Sequence, residues 1–346
     1  MKIVCRAIVL VGFLSATCAC SVENPPAARE IAEETGRSEI AFRLAERDLI
    51  PEGLCYDPED DVFYLGSIRK SKILQISRDG EVEIFVAPTE GQDRGYLGMR
   101  IDTDRRVLWA NWHQDLKPGE PERPLWTGIS KFDLEDGSVI REYMLEKTDK
   151  NHLFNDVAIA RDGTVYLTSF SYGMIYTIDP ATDEIEEFLP MPEGVWNNGI
   201  DITPDGRYLF VVGSDRIFKV DLETKELLAL PSPEDGVIGY GDGLYFHDGS
   251  LLAVTGHREG EQVVNRVIRL RLPETLDRID TIEVLDRDHP LYSNPTTGAV
   301  ADGWFYYIAT AQFEKFDEAG NLAPWDELSD TYILRLPLDE PSRRSP

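Results

Sequence analysis

The sequence predicts an all-β fold, a six-bladed β-propeller with four strands per blade. Three observations carry this. Six segments share one pattern: PEGLCYDPEDD from Pro51, YLGMRIDTDRR from Tyr96, FNDVAIARDGT from Phe154, NNGIDITPDGR from Asn197, YGDGLYFHDGS from Tyr240 and PTTGAVADGW from Pro295. Aligned, their second column reads Glu52, Leu97, Asn155, Asn198, Asp242 and Thr296, in steps of 45, 58, 43, 44 and 54 residues. Self-similarity at that period marks a β-repeat array. Second, each repeat holds four short apolar runs bounded by Gly, Asp or Pro turns, which is the arithmetic of propeller blades. Third, the last repeat lacks a convincing outer strand, whereas a spare strand around Ala41–Ala45 precedes the first and can fill its place.

Taken in order, residues 1–19 read as a signal peptide. Lys2 and Arg6 precede the apolar run Ala7–Leu14, and small residues lead to Cys18 and Cys20. The run is too short to cross a bilayer, which needs about 20 apolar residues. Ala19 before Cys20 resembles a bacterial lipobox, so a lipid anchor at Cys20 and a place in the cell envelope, facing the periplasm, are expected. Residues 20–38 (SVENPPAAREIAEETGRS after the cysteine) are polar and read as a flexible tether. Residues 39–340 form the propeller. In its first blade the strands are expected at Gly53–Tyr56, Val62–Gly66, Lys72–Ser77 and Glu81–Val86. The longer steps have causes in His113–Thr127, His257–Asn265 and Gln312–Asp330, read as insertions between second and third strands. Once the signal is removed and Cys20 lipidated, Cys55 alone keeps a thiol, on an apolar strand where it is expected to be buried and inert.

The chain carries 63 acidic against 35 basic residues, a net charge of −28, with 42% apolar residues. That balance excludes nucleic acid, whose phosphates require Lys and Arg, and adsorption to anionic lipid; the membrane is met only through the anchor. No P-loop, Rossmann glycine pattern, GxSxG or HExxH is present. A monomer acting on a small molecule is expected.

In a propeller the inner strands surround one axis, so equivalent residues of successive repeats converge. Glu52, Asn155, Asn198 and Asp242 would meet at the channel mouth as two carboxylates and two amides. An all-oxygen set of that charge suits a divalent cation, Ca²⁺ best, since Ca²⁺ takes about 6–8 oxygens in irregular geometry. Mg²⁺, Mn²⁺ or Zn²⁺ are compatible, although zinc prefers His and Cys. Each residue singly has a plainer reading, because Asn-Gly and Asp-Gly are common turn formers. Asp156 and Asn197, beside the column, are read as turn or cap residues. The pocket wall is expected from loops on the same face, with Arg69, His113, Tyr172 and His257 as candidates to meet substrate.

These residues carry a resemblance. The EGL at Glu52, the FND at Phe154–Asp156, the NG-x-x-x-x-PDGR at Asn198–Arg207 and the DGL at Asp242–Leu244 are similar to the superfamily of senescence marker protein (regucalcin), gluconolactonase and luciferin-regenerating enzyme. The similarity runs from residue 40 to 338. It implies a six-bladed propeller with one divalent cation on a Glu, two Asn and an Asp, which by motif are Glu52, Asn155, Asn198 and Asp242. It further implies a gluconolactonase-like hydrolase of a lactone or related small ester, with Asp242 as ligand and general base. Leu97 and Thr296 leave two blades without a ligand, and the family's substrate arginines have no clear match. The alternative from another class is a non-catalytic propeller that binds a protein or small ligand in the envelope and keeps the cation for structure.

Overall fold

The computed structural model describes residues 37–338 apart from 92, 115–125, 146–151, 171, 234–237, 260–261 and 318–319. The expected signal peptide, Cys20 and most of the tether lie outside the described residues.

Among the described residues, twenty-four strands form six four-stranded antiparallel sheets. Blade 1 is β2 (Pro51–Asp57), β3 (Val62–Ser67), β4 (Ile73–Ser77) and β5 (Val82–Val86); blade 2 is β6 (Arg94–Asp102), β7 (Val107–Gln114), β8 (Thr127–Asp133) and β9 (Val139–Met144). Blade 3 is β10 (Phe154–Ile159), β11 (Val165–Ser169), β12 (Met174–Asp179) and β13 (Glu184–Pro190). Blade 4 is β14 (Asn197–Ile202), β15 (Tyr208–Gly213), β16 (Arg216–Asp221) and β17 (Leu227–Ala229), and blade 5 is β18 (Tyr240–His247), β19 (Ser250–Glu259), β20 (Gln262–Arg271) and β21 (Thr281–Arg287). Blade 6 is β22 (Gly298–Ala301), β23 (Trp304–Ile308), β24 (Thr331–Pro337) and, from the other end of the chain, β1 (Glu39–Leu44).

The predicted closure is therefore present, with Glu39 opposite Arg335 and Leu44 opposite Thr331. Side chains reinforce it. Asp330, 7% exposed, pairs with Arg43 at 2.5 Å and Arg47 at 2.8 Å, and the Ser38 backbone N–H donates to Asp286 of blade 5. Tyr307 donates to Ser38 Oγ at 2.7 Å.

Alternation sends successive side chains of each strand to opposite neighbours, so the core is six apolar seams rather than one centre. Phe63 and Leu65 pack with Phe42, Tyr306 and Ile333 of blade 6, while Tyr64 and Val62 pack with Met99, Leu108 and Trp112 of blade 2. Cys55 lies in the second of these seams, buried, and burial pushes its thiol well above the usual range. The same division repeats round the ring.

One expectation is corrected. His257–Asn265 is not an inserted loop: β19 and β20 stay paired from Ser250↔Arg271 to Glu259↔Gln262, including His257↔Val264. Backbone pairing extends a hairpin whatever the polarity of its side chains. The described part of Gln312–Asp330 is irregular, with 3₁₀ turns at Phe313–Lys315 and Trp325–Glu327.

Candidate metal centre

Each inner strand starts where its neighbour, the second strand, ends: Pro51 pairs with Ser67, Phe154 with Ser169, Asn197 with Gly213 and Tyr240 with Gly256. The column residues and the loops after the second strands therefore share one face. In five blades the inner strand also carries a register shift, between Pro51 and Leu54, Tyr96 and Met99, Phe154 and Val157, Asn197 and Ile200, and Gly241 and Leu244. Each shift contains the column residue and the one after it. A bulge of this kind takes a residue off the ladder and re-aims its side chain, here five times at the same level.

The residue after the column residue is where neighbouring blades touch. A Cβ on Gly53 would collide with the Leu97 carbonyl oxygen, one on Gly98 would lie 2.5 Å from the Asn155 carbonyl oxygen, and one on Gly199 would collide with that of Asp242. Blade 3 has Asp156 instead. Its carboxyl accepts from the N–H of Val157 at 2.8 Å and of Ile200, on blade 4, at 3.3 Å. From blade 6 the Thr296 hydroxyl donates to the Glu52 carbonyl oxygen at 3.4 Å, joined by that of Thr297. The column is thus a ring of touching neighbours. Gly199→Ala is expected to cost about 1–3 kcal/mol by overpacking and to displace Asp242, because the obstructing atom belongs to the backbone of that residue. Denaturant unfolding of the variant checks this; an unchanged stability would refute the close approach.

Glu52 is 3% exposed, Asn155 and Asn198 are each 8%, and Asp242 is partly covered. Each of the four ends in a buried oxygen without a hydrogen-bond partner among the described residues: Glu52 Oε2, Asn155 Oδ1, Asn198 Oδ1 and Asp242 Oδ1. Unpaired buried acceptors are costly, about 1–3 kcal/mol each and more when charged. Other unpaired buried polar atoms lie on second strands, at Asn111, Trp112, Ser169 and Thr255, and at Asn197 Oδ1.

Burial, with the nearby Asp242 and Asp156 carboxyls, pushes Glu52 well above the usual carboxylate range. Burial and Asp156 raise Asp242 to about 7, against a lowering hydrogen bond from Asn198. Asp156 itself rises to about 6 through burial, opposed by Arg100. Three carboxyls this close resist ionising together. Arg100 crosses from blade 2 beneath them: it donates to the carbonyls of Val157 and Ile200, each at 3.3 Å, stands 3.6 Å from Asp201 and lies 5.3 Å from the Tyr245 ring centroid. Its partners sit on blades 3, 4 and 5, which supply Asn155, Asn198 and Asp242.

Four buried acceptor oxygens, two of them carboxylate, fit a hard divalent cation. Half of the set is amide, so among the described residues no cluster of three or more His, Cys, Asp and Glu stands ready for a metal.

The pocket candidates fall on blades 1, 2, 3 and 5. Arg69 is exposed in the turn after β3; His113, in β7, is half-buried with its Nε2 close beside Gly95. Tyr172 is half-buried, 4.7 Å from the ring of His152, and His257 is half-buried in the β19–β20 hairpin. Sequence reasoning passed over His152, which is 6% exposed with Nδ1 3.0 Å from the Tyr176 hydroxyl, and Arg100.

Solved structures of the same fold include a calcium-binding regucalcin from Agrobacterium tumefaciens (TM-score 0.58, 15% identity, 85% of this chain and 93% of that one). A gluconolactonase from Xanthomonas campestris is similar (TM-score 0.57, 15% identity, 90% and 99%), as is a luciferin-regenerating enzyme (TM-score 0.55, 13% identity, 84% and 91%). At these identities the likeness is one of fold. Comparison with curated protein sequences gave no match. Residues 50–257, more than half of the chain and including all four ring oxygens, match the family described as the SMP-30/Gluconolactonase/LRE-like region. The chain belongs to that family.

Proposed function

We propose that this protein is a divalent-metal-dependent hydrolase of a lactone or related small ester, with Ca²⁺ the best-fitting cation. The observation that carries the reading is the set of four unpaired, buried side-chain oxygens from blades 1, 3, 4 and 5. Glu52, Asn155, Asn198 and Asp242 would hold the cation. When bound, it supplies Lewis-acid polarisation of a carbonyl oxygen and makes a nearby water more acidic. The gluconolactonase and regucalcin folds and the shared family support the same class of chemistry.

Asp242 Oδ1 is the proposed proton acceptor. It takes a proton from the attacking water as the water oxygen bonds to the acyl carbon, and the ring C–O bond then breaks with the proton passing to the leaving oxygen. A carboxyl raised to about 7 has the basicity for this near neutral pH; the cation would lower that value. Asn198, bonded to the same carboxyl, orients it. A panel of lactones and aryl esters assayed with and without chelator is expected to show hydrolysis that chelator abolishes and Ca²⁺ restores. Hydrolysis indifferent to chelator, or none at all in metal-binding protein, rejects the proposal in favour of a binding propeller.

We further propose export and anchoring through Cys20, on the strength of the charged, apolar and small-residue order of residues 1–20. Cys20→Ser is expected to move the mature protein out of the membrane fraction or leave it unprocessed. A wild type that is soluble and begins elsewhere rejects the anchor.

A further inference from the structure

We infer that Arg100 is a resident counter-cation of the ring: it keeps the empty site assembled and opposes any bound ion in proportion to that ion's charge. This rests on the metal reading above and adds to it a positioning and selectivity residue outside the four ligands.

Position comes first. In a closed ring of six, blade 5 stands opposite blade 2. Arg100 belongs to β6 of blade 2, yet its guanidinium carbon lies 5.3 Å from the Tyr245 ring centroid on blade 5. The side chain therefore crosses the axis. On the way Nε meets the Val157 carbonyl of blade 3 and Nη2 the Ile200 carbonyl of blade 4, each at 3.3 Å. Val157 and Ile200 follow the ligands Asn155 and Asn198 by two residues each. The guanidinium thus sits one step below the oxygens, roughly 7 Å along the strands.

The same two residues are held at their N–H groups by Asp156, at 2.8 Å for Val157 and 3.3 Å for Ile200. Each inner strand pairs with one strand only, so its other edge faces the axis. Buried backbone groups on such an edge need partners, and Asp156 and Arg100 supply them, one to the N–H groups and one to the carbonyls. Arg100 in this way fixes the spacing of the strands that carry Asn155 and Asn198.

Charge comes second. Asp201 stands 3.6 Å from Nη2, itself held by the N–H of Ile202 at 2.9 Å and of Phe246, on blade 5, at 2.8 Å. Asp156 is also near, and its neighbours are Glu52 and Asp242. Carboxylates gathered about an axis repel one another. A guanidinium does not give up its proton, so Arg100 offsets that repulsion while the ring is empty. Once an ion enters, the same fixed charge repels it. Coulomb energy follows the product of the charges, so a trivalent ion is penalised more than a divalent ion of equal size.

The test compares Ca²⁺ with Tb³⁺, an ion of similar radius, by Tb³⁺ luminescence and Ca²⁺ competition on chelator-stripped protein. Arg100→Met should raise the ratio of Tb³⁺ to Ca²⁺ affinity about tenfold and lower the melting temperature in chelator. Arg100→Gln, which keeps a donor for one carbonyl, should raise the ratio as much with a smaller loss of stability. Arg100→Lys keeps the charge and should keep the wild-type ratio. A residue that only braces the blades would change both affinities by one factor, because the two ions use the same oxygens. Asp201→Asn, at the other end of the ion pair, should shift the ratio the opposite way. An unchanged ratio in whichever neutral Arg100 variant folds, or in Asp201→Asn if neither does, overturns the inference and leaves the metal reading standing. Wild-type protein that binds neither ion overturns the metal reading and the inference together.

Discussion

Asp242→Asn is expected to lower turnover by about 10²–10⁴ at saturating Ca²⁺, the usual worth of a positioned general base. The substitution keeps an oxygen on blade 5 and removes the charge and the proton acceptor, so Ca²⁺ affinity should weaken only modestly. Glu52→Gln is the necessary partner experiment. It takes the same charge from the same ring, since Glu52 and Asp242 each end in an unpaired buried oxygen, but it removes no proposed base. Rates measured under metal saturation for both variants separate the two roles. A loss confined to Asp242→Asn assigns proton transfer to that residue. Equal losses assign the effect to the electrostatics of the cation, and a full recovery of Asp242→Asn with added Ca²⁺ reduces Asp242 to a ligand.

The second large effect is a dependence of calcium stabilisation on pH. Asp242 is raised to about 7, Asp156 to about 6 and Glu52 well above the ordinary carboxylate range. In the unfolded chain these groups lose their protons near pH 4. Between that pH and about 7 the folded, metal-free protein therefore holds protons that the unfolded chain has released. Its stability must fall as pH rises through that window. A cation at the ring needs the ionised carboxylates and competes with those protons. The rise in melting temperature on adding Ca²⁺ should consequently be small at pH 5 and large at pH 8, where binding to the native state alone adds its full mass-action term. Thermal melts in chelator and in Ca²⁺ at the two pH values measure the difference directly. An equal gain at both would remove the buried carboxyls from the site, and no gain with any divalent cation would remove the site itself.

The fold was legible because its repeat is written in turn residues and alternation, which single residues report directly. The ring order was legible for the same reason: a column of Glu52, Asn155, Asn198 and Asp242 needs only alignment of the chain with itself. What a sequence does not display is the bulge that sets those residues off the ladder, since a bulge is a relation between two strands. The only local trace is the small residue that follows, Gly53, Gly98, Gly199 and Gly243. Asp156 departs from that pattern, and it is not the turn or cap residue its composition suggests: it lies inside β10, its buried carboxyl accepting from N–H groups of two blades. Arg100 escaped notice because an arginine inside an alternating run such as YLGMRID reads as a solvent-facing position, whereas here it faces three other blades. The segment His257–Asn265 has the Arg, Glu and Gly composition of a loop, although backbone pairing extends as far as Glu259↔Gln262.

Because the first strand completes the last blade, the order of synthesis matters to this chain. Arg43 and Asp330 stand 287 residues apart yet share an ion pair. At a ribosomal pace of about 5–20 residues per second, roughly 15–60 s separate their emergence. Blades 1 to 5 are each contiguous and can assemble as they appear, but Phe42 and Leu44, buried in the finished ring, must wait without a sheet to join. A message cut short before Thr331 would leave five complete blades, the β22–β23 hairpin of the sixth, and an apolar β1 strand without the β24 it pairs with. Such an edge invites pairing with another chain, so closure of the ring falls on the codons for β24.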